Sequence, residues 1–216
     1  MMATDIFEVF YQAQNDSKSV EMAAYLKNQF SFLGIAKPQR AMLSKEFLKE
    51  KKREDGVDWA FVFDCYQRKA REFHYLAISY LLSVKGRLTL HDVKNIETLI
   101  VTNSWWDSVD SMVPITAELY RKYPEMKDVI LSWAQNENLW LRRTAILFQL
   151  HGKEQTDTAL LSRIIELNLD SKEFFINKAI GWALREYSKT NRDWVAEFIS
   201  SHPLSKLSAR EASKYL

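Results

Sequence analysis

Cysteine, glycine and proline are all scarce in this sequence of 216 residues. It contains one cysteine, five glycines and four prolines. A lone thiol, Cys65, cannot form a disulfide within the chain, which fits the reducing conditions of a cytoplasm. Folds rich in β-sheet need many turns and use more glycine and proline than this. Their scarcity therefore favours helices.

Long apolar runs and a strong excess of one charge are also missing. No stretch of about 18 apolar residues occurs, which predicts that no helix spans a membrane. The first ten residues, MMATDIFEVF, lack the basic-then-apolar order of a secretion signal, so we expect a cytoplasmic protein. The net charge of +2 does not by itself indicate a nucleic-acid binder.

The spacings that mark common metal and cofactor sites are absent from the sequence. The four histidines are scattered and no H-E-x-x-H occurs, which argues against a zinc site. No glycine-rich phosphate loop is present, so a nucleotide cofactor has no support. Cys65 lies in an apolar stretch and fits a small core residue better than a nucleophile. We expect neither metal nor cofactor.

Apolar residues recur at the i, i+3, i+4 spacing of half-buried helices along nearly the whole chain. Small residues followed by an apolar residue recur every 34 residues, at Ala77, Ser111, Ala145 and Ala179. Second helices are predicted between them, over 93–101, 127–134, 159–167 and 194–199, with Asp193 capping the last. The pattern predicts an all-α fold, an α-solenoid of HEAT-like helix pairs in one domain over residues 1–216.

The densest group of unusual residues is SWWDSVDS at 104–111. Projected through the repeat, Trp106, Asp110, Arg143 and Trp182 share one face of successive helices, which is how a solenoid can assemble a site. The alternative is that both tryptophans are core aromatics and that Asp110 pairs with Arg143 as a structural ion pair. A register error of one residue would bury the supposed site.

Four segments carry a family resemblance: 22–35 (MAAYLKNQFSFLGI), 99–114 (LIVTNSWWDSVDSMVP), 138–150 (NLWLRRTAILFQL) and 171–187 (SKEFFINKAIGWALREY). They resemble the bacterial HEAT-like-repeat alkylpurine DNA glycosylases of the AlkD type. The resemblance implies a cofactor-free hydrolase for base excision repair, and a monomer is the default expectation for a solenoid that wraps DNA. Such an enzyme binds duplex DNA in a basic groove and cleaves the N-glycosidic bond of N3- or N7-alkylated purines.

The same resemblance assigns roles to individual residues. Asp110 corresponds to the catalytic carboxylate, Trp106 and Trp182 to the aromatic residues beside it, and Arg143 to a phosphate contact. Tyr25 falls in a DNA-contacting helix expected over residues 19–30. Further phosphate contacts are expected from four basic residues: Arg142, Lys172, Lys178 and Arg185.

Two departures from the family pattern leave other functions open. A glutamine and a lysine of the family are replaced here by Ala36 and His151, and both changes are expected to weaken DNA contacts. One alternative is therefore a catalytically inactive DNA-binding paralogue. A protein-binding helical scaffold is another, and it would lack the steep salt dependence of a DNA-groove protein.

Overall fold

A computed structural model describes residues 5–216, so the first four residues of the N-terminal segment lie outside it. Over this range the regular structure consists of α-helices and short 3₁₀ turns, with one isolated bridge between Ser31 and Ala70 and no strand. The all-α prediction is confirmed. In the described range, no helix is long and apolar enough to cross a bilayer.

The helices fall into two compact units, which meet in the sequence between Thr89 and Leu90. The first unit contains α1 (Ile6–Gln12), α2 (Asp16–Tyr25), α3 (Lys37–Lys51), α4 (Trp59–Gln67) and α5 (Arg71–Val84). The second contains α6 (Val93–Val101), α7 (Trp106–Lys122), α8 (Met126–Ala134), α9 (Leu139–Leu147), α10 (Thr158–Glu166), α11 (Phe174–Ser188), α12 (Arg192–Ser201) and α13 (Lys206–Ala212). The expected single domain over residues 1–216 stays a prediction.

The predicted second helices correspond to α6, α8, α10 and α12, with ends that differ by two residues at most. Within the second unit, α9 packs against α7, α8 and α11, and α11 packs in turn against α13. The predicted cap of α12 is wrong. Asn191 caps this helix, because its side chain accepts the backbone N–H of Trp194, and Asp193 lies in the first turn.

The small residues of the repeat are buried at three positions and exposed at the fourth. Ala77, Ala145 and Ala179 are fully buried, as expected for places where helices pack closely. Ser111 instead is exposed and donates its hydroxyl to the Asp107 carbonyl, while Met112 after it is buried, as are Ile78, Ile146 and Ile180 at the equivalent positions. The 34-residue register therefore holds in α7, and only its small residue lies outside the core.

A buried carboxylate organises the segment that precedes α3 in the first unit. Glu72 is fully buried and accepts the backbone N–H groups of Leu33, Gly34 and Ile35 at 2.9–3.0 Å. Gly34 has a φ of +84°, and a Cβ at this position would lie 2.0 Å from the Asn15 carbonyl oxygen. Only glycine fits here, and the resulting loop holds the residue that caps the start of α2.

Helix α2 has no buried side chain, and Val20 and Tyr25 are each about 70% exposed. The helix predicted over residues 19–30 is wrong in both ends. It begins at Asp16, capped by Asn15, and stops at Tyr25 because Lys27 and Asn28 take left-handed backbone conformations with φ of +59° and +56°. Tyr25 nevertheless lies on this helix, at its last residue.

Candidate active site

Helix α7 places two of the predicted site residues on one face. Trp105 is the extended residue before the helix, and Trp106 and Asp110 follow at i and i+4, so their side chains point the same way. Pro114 lies four residues after Asp110 and has no N–H. The backbone carbonyl of Asp110 therefore loses the helical hydrogen bond that most residues in this position receive.

Asp110 and Arg143 form a bidentate ion pair between α7 and α9. The guanidinium donates from Nε to Oδ1 and from Nη2 to Oδ2, both at 2.7 Å. Its Nη1 donates to the backbone carbonyl of Phe175 in α11, also at 2.7 Å. Asp110 and Arg143 lie 33 residues apart, one residue short of the repeat, and they meet because α7 packs directly against α9. One arginine thus ties α7, α9 and α11 together.

The pair is largely removed from solvent, since the Arg143 side chain is 4% exposed and that of Asp110 is 15% exposed. Burial raises the pKa of the Asp110 carboxyl, and the two hydrogen bonds from Arg143 act in the opposite direction. Each carboxylate oxygen has a second lone pair. Asp110 can therefore accept both bonds from Arg143 and still present acceptor positions to a neighbouring group.

A cleft of about 360 Å³ opens beside this pair, entirely within the second unit. Its lining comes from three helices and comprises Trp106, Asp110, Arg143, Phe174, Phe175, Lys178, Trp182 and Arg185. Trp106 and Trp182 are half-buried and face the cleft instead of being core residues. The ion pair of the structural alternative is present, but the burial of the tryptophans that it required is not.

Aromatic rings around Phe175 pack against one another beside the cleft. The ring of Phe175 lies 5.0 Å from that of Trp140 and 5.2 Å from that of Trp105, measured between centroids. Phe174 packs edge-to-face on Phe175 at 5.4 Å and is 59% exposed. Rings in such contacts hold one another in position beyond the effect of burial alone. The aromatic wall of the cleft is therefore rigidly supported.

The cationic wall of the cleft also belongs to α11. Lys178, Trp182 and Arg185 follow at i, i+4 and i+7, which places them on one face. Lys178 contacts Glu211 of α13 at 2.9 Å, and Arg185 donates to the same carboxylate at 2.8 Å. The cleft thus combines a held carboxylate, two indole faces and two cations within one unit.

Residues 6–216 match the sequence pattern of the family described as DNA alkylation repair enzyme. The chain belongs to this family. A solved structure described as a predicted DNA alkylation repair enzyme from Enterococcus faecalis is 38% identical, with a TM-score of 0.88 over 94% of this chain and 96% of the other. A protein from Streptococcus mutans UA159, smu.31, is 22% identical, covers 82% and 97%, and shares the fold with a TM-score of 0.61. No curated protein sequence matches the chain significantly.

The remaining predicted residues of this DNA alkylation repair family member lie elsewhere. Lys172 is exposed and Arg142 is half-buried, and neither lines the cleft. Tyr25 belongs to the first unit and is 71% exposed. Ala36 precedes α3 without a side-chain capping bond, and His151 is exposed after α9. Their roles in binding DNA stay predictions.

The structure of this family member also shows site residues that sequence reasoning missed. Phe174 and Phe175 are adjacent aromatics at the start of α11, and the available signal was their place in the segment 171–187 that carries the family resemblance. Glu211 gave no such signal. It lies in a short polar segment outside the repeat pattern, and only the fold brings it to Lys178 and Arg185.

Proposed function

We propose that this protein is a monofunctional DNA glycosylase that hydrolyses the N-glycosidic bond of N3- or N7-alkylated purines in duplex DNA. One observation carries the proposal: the Asp110 carboxylate, held by Arg143, shares a cleft with the indole rings of Trp106 and Trp182. A fixed anion between two aromatic faces suits a cation. The family membership supports alkylated DNA as the substrate.

The reaction needs an anion to stabilise positive charge on the sugar, and it does not need a general acid to protonate the base. A purine alkylated at N3 or N7 is already cationic, so the bond between C1′ and the base nitrogen breaks with its electron pair neutralising the base. Positive charge then develops on the deoxyribose as an oxocarbenium ion, and a carboxylate placed beside it lowers the barrier electrostatically. Water adds to C1′ and passes its proton to Asp110 or to solvent, which completes the hydrolysis.

The two tryptophans act on the same developing charge. An indole face attracts a cation by about 0.5–2 kcal/mol, more strongly where water is excluded. Trp106 and Trp182 are half-buried in the cleft and come from different helices, α7 and α11. They would flank the sugar and favour its cationic form over the neutral ground state.

Arg143 holds the carboxylate and leaves part of its guanidinium for a phosphate. Three of its five N–H groups donate to Asp110 and Phe175, which leaves one on each Nη. We infer that these two groups contact a DNA phosphate while the Asp110 pair stays closed. Arg143 would thereby fix the distance between the strand and the carboxylate.

The deciding measurement is release of free base from methylated duplex DNA under single-turnover conditions. Asp110→Asn is expected to slow release by about 100-fold or more, because the anion is lost while the shape is kept. Asp193→Asn is the matched control, because it removes the same charge from an exposed residue of the same unit that does not line the cleft. Its release rate should stay within about threefold of the unaltered protein.

Asp110→Asn also removes the partner of a buried guanidinium, which costs about 3–5 kcal/mol of folding stability in comparable pairs. Thermal unfolding must therefore accompany the rate. Where the variant fails to fold, Asp110→Leu with Arg143→Met removes the pair as a unit and restores stability. A folded double variant that still releases base would overturn the proposal. Unaltered protein that binds duplex DNA without release would indicate the inactive paralogue.

A further inference from the structure

Glu211 in α13 is a buried carboxylate that gathers three cations. Its side chain is 5% exposed and contacts Lys178 through Oε1 at 2.9 Å. Its Oε2 accepts from Arg185 at 2.8 Å and from Lys214 at 2.9 Å. Lys178 and Arg185 line the cleft beside Trp182. A single carboxylate therefore sets the position of the cationic wall.

The backbone brings α13 unusually close to α11 at this point. Gly181 has no side chain, and a Cβ there would lie 2.5 Å from the Glu211 Cβ and 2.9 Å from the Ser208 carbonyl oxygen. Ser208 is buried and donates its hydroxyl to the Asn177 carbonyl at 2.8 Å. These contacts fix Glu211 under the face that carries Lys178, Trp182 and Arg185. The close backbone packing of α13 on α11 therefore sets the position of Glu211.

The cluster keeps an excess of positive charge. Three cations share one anion, and the hydrogen bonds from Lys178 and Lys214 lower the pKa of Glu211 to about 2, so the carboxylate stays ionised at neutral pH. Lys178 and Lys214 are 38% and 48% exposed and Arg185 is 23% exposed. Each can therefore donate to a ligand at the surface while one donor stays on Glu211.

Lys178 and Arg185 are already expected phosphate contacts; we propose that Lys214 joins them on one backbone phosphodiester of the DNA strand, with Glu211 as the positioning residue of all three. The inference rests on the proposed function, because that function supplies DNA as the ligand of the adjoining cleft. It adds Lys214 and Glu211 to the residues that act on the substrate. By holding the DNA strand at this phosphodiester, the three cations would set which nucleotide along the strand faces Asp110.

The first test compares two matched lysines by their effect on the salt dependence of binding. Lys214 and Lys189 are each 48% exposed, and each pairs with a glutamate three residues earlier. Affinity for unmodified duplex DNA is measured by fluorescence anisotropy across sodium chloride concentrations. Lys214→Ala should reduce the slope of log affinity against log salt by about 1, because one phosphate contact is lost. Lys189→Ala should leave the slope unchanged.

The second test uses Glu211→Gln, for which two explanations predict opposite changes in DNA affinity. Removing a negative charge near bound DNA should tighten binding if Glu211 acts only through the field of the protein. If Glu211 instead positions Lys178, Arg185 and Lys214, its loss should weaken binding, because the three cations would no longer converge on one phosphate. We expect affinity to weaken about threefold or more and release at saturating protein to slow. Tighter binding with an unchanged rate would overturn the proposal.

Failure of this site and failure of the proposed function give different results. Equal salt slopes for Lys214→Ala and Lys189→Ala would exclude the phosphodiester site even if the unaltered protein releases alkylated base. Absence of release from the unaltered protein would exclude the glycosylase, while the slopes would still decide whether the cluster binds a phosphodiester. Should Glu211→Gln fail to fold, the exposed lysine pair decides alone.

Discussion

At the scale of single residues, Trp182 gives the most direct test of the proposal that the cleft stabilises a cationic sugar. Trp182→Phe keeps a smaller aromatic face and Trp182→Ala removes it, so release of alkylated base should fall in that order. The alanine variant should lose about 2-fold to 30-fold in single-turnover rate, corresponding to 0.5–2 kcal/mol for one cation–π contact. Equal rates for the phenylalanine and alanine variants would contradict the aromatic role.

A matched control is available in the same unit. Trp194 is half-buried and packs against Tyr187 and Phe198, and it does not line the cleft. Trp194→Phe should leave the release rate unchanged while altering stability slightly. A comparable fall in rate for this variant would show that the loss in Trp182 variants reflects packing and not the charge on the sugar.

The site residues could be predicted to the extent that they follow the repeat. Trp106, Asp110, Arg143 and Trp182 lie on equivalent helices, so the repeat brought them to one cleft. The sequence left open whether Asp110 and Arg143 form an ion pair, and only the structure shows that the pair is bidentate, with both bonds at 2.7 Å. Ser111 follows the repeat in sequence, and only packing shows that its side chain lies outside the core.

At the scale of elements, α2 depends on contacts outside itself. With no buried side chain, it is stabilised by the loop at residues 33–35, and that loop is held by Glu72. Glu72→Gln replaces one acceptor oxygen with a donor that faces backbone N–H groups. We expect a loss of about 1–3 kcal/mol, the cost of leaving a buried polar group unsatisfied. Hydrogen exchange should rise most strongly over residues 15–35.

Glu8 provides the control for this prediction. It is exposed in the first turn of α1, in the same unit, and Glu8→Gln removes the same charge. Exchange over residues 15–35 should match that of the unaltered protein. Uniform acceleration across the whole first unit in Glu72→Gln would instead mean that Glu72 supports the core of the unit and not α2 in particular.

Helices and their partners were largely predictable, whereas their ends were less so. The bounds of α6, α8, α10 and α12 follow from apolar periodicity, since a half-buried helix must repeat its apolar residues every three to four positions. Helix α2 lacks that constraint. Its end is set by positive φ at Lys27 and Asn28, and the side chains of these two residues do not by themselves predict a left-handed backbone.

At the scale of the whole molecule, Glu211 links stability to pH. Its pKa is lowered to about 2 in the folded chain, against an ordinary value of 4.5. Its contribution to stability is therefore complete above about pH 5 and is lost as the pH falls towards 2. Between pH 6 and pH 3, the thermal midpoint of the unaltered protein should fall more steeply than that of Glu211→Gln.

The two curves should converge at low pH, because a protonated glutamate and a glutamine are both neutral. Glu46→Gln is the control: Glu46 is 69% exposed, and its pair with Lys49 lies on the surface, where such pairs contribute little. Its curve should run parallel to that of the unaltered protein. Parallel curves for Glu211→Gln would mean that the three cations do not stabilise this carboxylate.

Helix α2 folds without committing any of its side chains to a core. Most positions of α2 can therefore be substituted with little loss of folding stability, as long as Asn15, Gly34 and Glu72 hold the start of the helix. Randomising the exposed face of α2 should yield libraries in which most members fold. Natural drift would encounter the same freedom, so relatives can diverge on this surface while the rest of the chain stays unchanged.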